Sequence, residues 1–247
     1  MKNNILLLVA LAALGAKAQN GGKVQYYTDS YVTRNWFGLG VHYNPYVSDR
    51  RVASGFATTD AATFTAINEG ADALYGQSAG IDVYFDFSDR FEIVSGGTWV
   101  QGGWNYDVVR FLGGFEGVNV DTINLYEMDV RYETFNIPLQ FVIKTQITDI
   151  WQLEVAPAIE LAFLGRYDVT LFDNDGVEET IDLKPYSRTT NINIGLYLGG
   201  SWWLTDQMAF IVRGHFRYAL QPYMQEDVFF REVPYLAGLN LGARYQF

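Results

Sequence analysis

The sequence predicts an all-β protein: an eight-stranded antiparallel up-and-down transmembrane β-barrel, with long connections at one end and short turns at the other. Three observations carry that prediction. Segments of about ten residues alternate apolar and polar side chains with a period of two, the period of a strand and not of a helix. After the amino terminus no apolar run reaches the roughly 20 residues that a spanning helix needs. The connections alternate strictly, long after strands one, three, five and seven and short after two, four and six, which fits extracellular loops and periplasmic turns.

The amino terminus is set apart from the fold. Lys2 precedes an apolar run from Ile5 to Leu14, and Ala16-Lys17-Ala18 offers small residues where a signal peptidase reads. Residues 1–18 are expected to be a signal peptide and 19–33 a polar periplasmic segment, leaving 34–247 for the barrel domain. The formal charge of -11 loses the two lysines of the leader, Lys2 and Lys17, and becomes -13. So acidic a chain is not expected to bind nucleic acid, whose phosphates require a basic surface. With no Cys, neither a lipoprotein anchor nor a disulfide framework is available. No cofactor is expected.

Strand one is read over Arg34–Tyr43, with Phe37, Leu39, Val41 and Tyr43 on one face and Trp36, Gly38, Gly40 and His42 on the other. Asn44-Pro45 should end it, since Pro cannot donate to a ladder, and Tyr46–Ser78 reads as a loop with a short helix near Asp60–Leu74. Strand two, Ala79–Phe87, sets Ile81, Val83, Phe85 and Phe87 against Asp82, Tyr84 and Asp86. Strand three runs from Phe91 to about Gly102 and is the least regular, Gly96-Gly97 being placed to bend or bulge it. After a loop over Gly103–Asp129, strand four, Val130–Lys144, opposes Phe135, Ile137, Leu139, Phe141 and Ile143 to Asn136, Pro138, Gln140, Val142 and Lys144.

Strand five has the strongest alternation: Trp151, Leu153, Val155, Pro157, Ile159, Leu161 and Phe163 against Gln152, Glu154, Ala156, Ala158, Glu160 and Ala162. Gly165–Arg188 is a third long connection, in which Asp173-Asn174-Asp175-Gly176 reads as a hairpin turn extending strands five and six. Strand six opposes Ile192, Ile194, Leu196, Leu198 and Trp202 to Asn191, Asn193, Gly195, Tyr197 and Ser201. Strand seven sets Met208, Phe210, Val212, Phe216 and Tyr218 against Arg213, His215 and Arg217. Gln221–Val233 is the last long connection, and Pro234 opens the closing strand, Tyr235–Phe247.

Alternation alone leaves open whether the apolar face points out to lipid or in to a pocket, as in a soluble ligand-binding barrel. Strands five and seven run about 13 residues, which at ~3.3 Å each and a tilt near 45° project to roughly 30 Å, a bilayer core. Soluble strands average about 5 to 6 residues. Aromatic residues gather at both ends: Trp151, Trp202, Tyr245 and Phe247 by the short turns, and Tyr43, Phe163, Tyr218 and Tyr235 by the long loops. Two such girdles are what headgroup interfaces select. With the apolar face outward, Asp82, Asp86, Glu92, Lys144, Glu154, Glu160, Arg213, His215, Arg217, Arg244 and His42 face the lumen as a polar network, and eight strands leave no open pore.

At Phe135–Lys144, FNIPLQFVIK, the Ile137-Pro138-Leu139 motif resembles the "IP-L-x-h-x-x-K" strand of PorT-like outer-membrane β-barrel proteins of Gram-negative bacteria, and the plan of the chain is similar to the small OmpA and OmpX type barrels. The closing strand, ending in Phe247, looks like that of an outer-membrane barrel, the segment expected to meet the barrel-assembly machinery. The resemblance implies residence in the outer-membrane bilayer and a link to protein secretion or envelope assembly. No active-site residue carries over, because the resemblance lies in strands that face lipid.

Enzymatic chemistry would fall to His42 or His215, as in barrels that modify lipids, but His215 shares its face with Arg213 and Arg217 and pairing accounts for such groups. No GxSxG, HExxH or Gly-rich phosphate loop is present. Asp173, Asp175, Glu178 and Glu179 offer oxygen ligands for a weak Ca²⁺ site but match only a fragment of a calcium loop, and suit a solvated hairpin tip better. Acidic loops carrying Phe115, Tyr126, Phe229 and Phe230 are candidate contacts for a protein partner. The expectation is a monomeric, non-enzymatic envelope protein working through its loops; a lipid-modifying hydrolase or acyltransferase and a small-solute channel are the alternatives.

Overall fold

A computed structural model describes residues 36–53, 71–110, 125–172, 178–224 and 231–247. The expected signal peptide, the segment 19–33, Phe115, Asp173, Asp175, Phe229 and Phe230 lie outside the described residues. Nine strands form among the described residues: β1 (Phe37–Ala53), β2 (Ala71–Asp86), β3 (Phe91–Arg110), β4 (Leu125–Gln146), β5 (Trp151–Phe172), β6 (Glu178–Asp182), β7 (Thr190–Trp203), β8 (Met208–Ala219) and β9 (Arg231–Gln246). All pair antiparallel. β9 returns to β1 from Gly38↔Gln246 to Ala53↔Arg231, so eight strands close into a barrel. The ninth, β6, pairs only with the far end of β5, from Phe172↔Glu178 to Asp168↔Asp182. It is the returning arm of the hairpin whose tip the sequence places at Asp173–Gly176, and a single 3-10 turn, Lys184–Tyr186, then leads toward β7.

Several strands run well past the expected ends, and Pro45 does not stop the first. The β1–β9 register passes from Tyr43↔Leu241 to Tyr46↔Gly238, skipping Asn44 and Pro45, while on the other side Pro45 stays paired with Gln77 of β2. The missing N–H therefore falls where β1 makes no ladder bond to β9. Likewise Pro234 does not open β9; it lies three residues inside, opposite Arg50. Of the expected helix, Ala71–Leu74 is strand and 60–70 lies outside the described residues.

Up to one level of the barrel the outward face is apolar and the inward face polar; beyond it the contents exchange. On β4 the outward residues Phe135, Ile137, Leu139, Phe141 and Ile143 are exposed, whereas Thr134, Asn136, Gln140 and Lys144 are buried. Farther along the same strand, Glu127, Asp129, Arg131 and Glu133 take the outward positions and Met128, Val130 and Tyr132 the inward ones. On β5 the change coincides with a bulge: Glu133 pairs with Arg166 and Thr134 with Leu164, leaving Gly165 as an extra residue. That one residue shifts the parity, so that Tyr167, Val169 and Leu171 turn inward with Leu164.

The far part of the barrel is packed like a soluble domain. Tyr46, Trp104, Tyr106, Val130, Tyr132, Tyr167, Val169 and Leu236 form one apolar cluster. β7 and β8, at 14 and 12 residues, are too short to wall it in beside β4 and β5 at 22. The gap is covered by the connections that flank them: Leu183, Tyr223 and Met224 insert into the cluster, Ser187 bridges to Met224, and the Arg188 N–H donates to the Tyr223 carbonyl at 2.6 Å. The Tyr223 ring lies 5.5 Å from that of Tyr132 and 6.1 Å from that of Tyr167. Tyr46 fits because two facing positions have no side chain; a Cβ on Gly76 would come within 2.2 Å of its ring, and one on Gly238 within 2.4 Å of its Cβ.

Gly76→Val is accordingly expected to destabilise the barrel by about 1–3 kcal/mol through overpacking, with part of the loss recovered in the Gly76→Val/Tyr46→Ala double variant, which removes the ring carbons that the new Cβ would meet. Urea unfolding of the detergent-folded protein would measure both; additive losses would show that the two residues do not share one space.

Candidate functional site

The nine residues expected to form the lumen network, Asp82, Asp86, Lys144, Glu154, Glu160, Arg213, His215, Arg217 and Arg244, are all buried inside the barrel, together with His42 and Glu92. They arise from alternate positions of seven strands, β1 to β5 plus β8 and β9, because the period of two places every second side chain inside. Near the short turns, the Lys144 ammonium lies on Asp86 and reaches Glu92 at 3.1 Å, while Arg244 donates to the same Glu92 oxygen at 2.6 Å. Gln246 donates to the second Asp86 oxygen at 2.5 Å, and the Arg244 guanidinium sits 4.3 Å over the Trp203 ring. Farther in, Arg213 bonds Glu154 through Nε at 2.7 Å and Gln140 at 3.3 Å. Arg217 meets Glu160 at 2.8 Å and Tyr197 at 3.2 Å; Tyr197 and Asn136 each donate to Glu160 at 3.0 Å.

Four cations thus answer four of the five lumen carboxylates, and the fifth, Asp82, is met by His42 Nδ1 at 2.8 Å and by the Tyr84 hydroxyl at 3.2 Å. The other imidazole nitrogen, Nε2, lies 3.2 Å from the Thr98 hydroxyl. Hydroxyl, imidazole and carboxylate follow one another as nucleophile, base and orienting acid would, but all three side chains are buried in the barrel interior. His215 is placed differently. Its ring stacks on Tyr197 at 5.5 Å and meets Tyr46 edge-on at 6.1 Å, and neither ring nitrogen has a hydrogen-bond partner among the described residues.

The expected girdle residues stand at the two margins of the apolar belt. Trp151 and Trp202 stack at 5.7 Å with planes 4° apart. Tyr245 and Phe247 meet at 5.1 Å, and Phe247 touches Phe37 at 5.8 Å. At the other margin Tyr235 packs on Phe216 at 6.2 Å and donates to Asp49 at 2.7 Å, and Tyr218 pairs with Tyr235 across the β8–β9 ladder. Of the calcium candidates, Glu178 and Glu179 are exposed on β6, while Asp173 and Asp175 lie outside the described residues; no metal-ligand cluster occurs among the described residues.

Two arrangements were not foreseen: the first lies wholly in stretches read as loop, and the second needs Gln77, also read as loop, to join Tyr43, Gln101 and Glu133 at the ends of three expected strands. Beyond the belt on the inside, Arg50 donates to the Tyr106 hydroxyl at 2.8 Å and to Glu232 at 3.3 Å. Burial pushes the Glu232 carboxyl up to about 7, with Arg50 pulling it back down; burial likewise raises the Tyr167 and Tyr223 phenols. On the outside, a chain of side-chain hydrogen bonds crosses four strands. Tyr43 donates to Gln77 at 3.0 Å, Gln77 to Gln101 at 3.3 Å and Gln101 to Glu133 at 3.2 Å.

Among solved structures the barrel is similar to Neisserial surface protein A, at 10% identity and a TM-score of 0.45, covering 87% of this chain and 98% of that one. It is also similar to a major outer membrane protein from Thermus thermophilus, at 11% identity and 0.43, covering 85% and 99%. A third is the outer membrane protease OmpT from Escherichia coli, at 7% identity and 0.40, covering 91% and 100%. No protein-family model and no curated protein matches the chain.

Glu160→Ala, which strands Arg217 in the interior, is expected to cost about 3–5 kcal/mol, whereas Glu160→Gln/Arg217→Met should restore much of it; urea titrations of the folded barrel would read both. For Glu232 the folded state binds the proton more tightly than the unfolded one. Its contribution is full below the ordinary carboxylate value and is lost as pH rises through about 7. Stability should therefore decline between pH 5 and 8 by at most about 3 kcal/mol, and Glu232→Gln should flatten that slope.

Proposed function

We propose that this chain is a monomeric outer-membrane β-barrel that conducts nothing and catalyses nothing, and that it acts in the cell envelope through the end of the barrel that stands beyond the belt. The observation that carries this reading is the pairing of faces. Exposed Ile81, Leu139, Ile159, Ile194 and Leu239 ring the outside at the level where Glu154, Glu160, Arg213 and Arg217 pair within. On β5 the outward apolar residues from Leu153 to Phe163 span 11 positions, which at ~3.3 Å and a 45° tilt cover about 25 Å, the height of a lipid-facing band. Ion pairs fill the interior over that height and the Tyr46–Tyr132–Tyr223 cluster closes it beyond, which supports a barrel without a pore. Signal-peptide export, capture by the barrel-assembly machinery through the closing strand, and a role in protein secretion or envelope assembly, which the PorT-like resemblance implies, are the narrower parts of this proposal. A protein partner at the far end is another.

A second reading has one observation on its side. The Thr98–His42–Asp82 series is the arrangement a membrane-embedded hydrolase or acyltransferase would use. Unchanged lipid A and phospholipid profiles in Thr98→Ala and His42→Ala cells would remove it.

The placement itself is checked by fractionation and by mutation. The protein should be recovered with the outer membrane and, in planar bilayers, show no conductance steps. Ile159→Arg, in the middle of the belt, should cost about 2–4 kcal/mol in phospholipid vesicles, while Arg131→Leu, beyond the belt, should change stability little. Recovery without detergent, or tolerance of Ile159→Arg, would overturn the membrane placement.

A further inference from the structure

We infer that the outer face of the tall wall, just beyond the apolar belt, is a binding site for the sugar hydroxyls of a neutral glycan. The site is a groove of about 780 Å³ running across β1 to β6 on the outside of the barrel. Its floor is the Gln77–Gln101–Glu133 row, flanked by Tyr43 at one end and by the β5–β6 hairpin, with Thr170 on β5 and Thr180 on β6, at the other. The row sits one ladder step above the lipid-facing residues Trp99, Phe135 and Phe163, in the register Gln77↔Gln101↔Glu133↔Arg166.

Three features select the ligand. First, the row is a fixed array of planar polar groups. Each amide spends one N–H and its carbonyl oxygen on its neighbours, and Glu133 one oxygen, so that each of these groove-lining groups keeps a further donor or acceptor unspent. Adjacent strands stand about 4.8 Å apart, which spaces these groups by about the width of one pyranose ring, and the mutual bonds hold them in place before a ligand arrives. Second, Tyr75 stands beside the row with 93% of its surface exposed. An uncovered phenol ring offers a flat apolar surface with a polar tip, which suits the C–H face of a sugar. Third, the charges cancel locally or leave a negative excess: Arg131 is paired with Asp129, Arg166 lies on Asp168, and Glu133 and Glu178 add two carboxylates. A phosphorylated or sulfated ligand would meet repulsion there, whereas an uncharged polyhydroxyl chain would not.

The depth of the groove, level with lipid headgroups if the belt lies in a bilayer, rests on the membrane placement proposed above; the chemistry of the site does not. A glycolipid headgroup and a free glycan present the same hydroxyls, and the test separates them. The full-length protein, folded in detergent, is titrated with short neutral oligosaccharides, with a detergent-dispersed neutral glycolipid and with inorganic phosphate, binding being followed by saturation-transfer NMR and calorimetry. Binding of oligosaccharide and glycolipid with equal affinity, weakened about tenfold or more by Gln101→Ala and by Tyr75→Ala, supports the site and assigns a free glycan; binding of the glycolipid alone, with the same losses, supports it and assigns the headgroup. No sugar binding, binding that both variants leave unchanged, or binding that inorganic phosphate displaces would overturn it. Both substitutions lie on the exposed wall, and an unchanged urea midpoint shows that any loss is not unfolding. Because the titration uses detergent-folded protein, its failure is distinct from a failure of the membrane placement, which fractionation reads.

Discussion

Closure of the hydrogen-bond ladder is the constraint from which the rest of this molecule follows. A sheet with a free edge would present a row of unpaired N–H and C=O groups, costing several kcal/mol each where no water can reach them. Pairing of β1 with β9 over Gly38 to Ala53 removes that edge. Once the sheet is a cylinder, each side chain on a strand has only two places to go, and the period of two decides between them. That geometry puts Ile159 and Glu160 on opposite faces, and the apolar run that Ile159 belongs to sets which of them looks outward.

What changes along the axis is the content of the two faces and not the geometry that creates them. Over the belt the interior must solve a problem of charge. Glu92, Glu154 and Glu160 are fully sequestered and would be costly alone, so each is met by a guanidinium or ammonium group from another strand. Past the belt the exterior carries the polar load, as in Gln101, Glu133 and Arg166, and the interior becomes an aromatic core. The bulge at Gly165 stands at this boundary. One inserted residue keeps Tyr167, Val169 and Leu171 inside while β5 continues, so the change of environment is matched by a change of register on that strand.

The uneven wall heights give the far end its form. β7 and β8 stop near the belt while β4 and β5 continue, so the connections after β6 and β8 must cover the inner face of the tall wall, and Tyr223 does so among Tyr132 and Tyr167. Among the described residues the outer face of the same wall has no such cover over Tyr75, which is 93% exposed, or over Arg131, whose side chain is 71% exposed. The tall wall is thus packed on its inner face and polar on its outer one.

Strand number, parity over the belt and the polar character of the lumen were legible in the sequence, because each depends only on alternation within a run such as Trp151–Phe163. The sequence also determined which residues face inward on β4, β5 and β8, since no partner is needed to know that Glu154 and Arg213 lie opposite a greasy face. It did not determine that Glu154 and Arg213 meet, nor that Thr98, Gln140 and Tyr197 join the network, because those contacts depend on the stagger of strands around a closed cylinder. The strand extensions were illegible for a related reason. At Gly165 the parity shifts, and beyond Glu133 and Gln101 the apolar residues move to the other face, so stretches that continue the ladder read as loop. Only the tertiary structure could show that an alternation whose phase or sign has changed is still the same strand, because the partner across the ladder, and not the sequence of one strand, holds it in register.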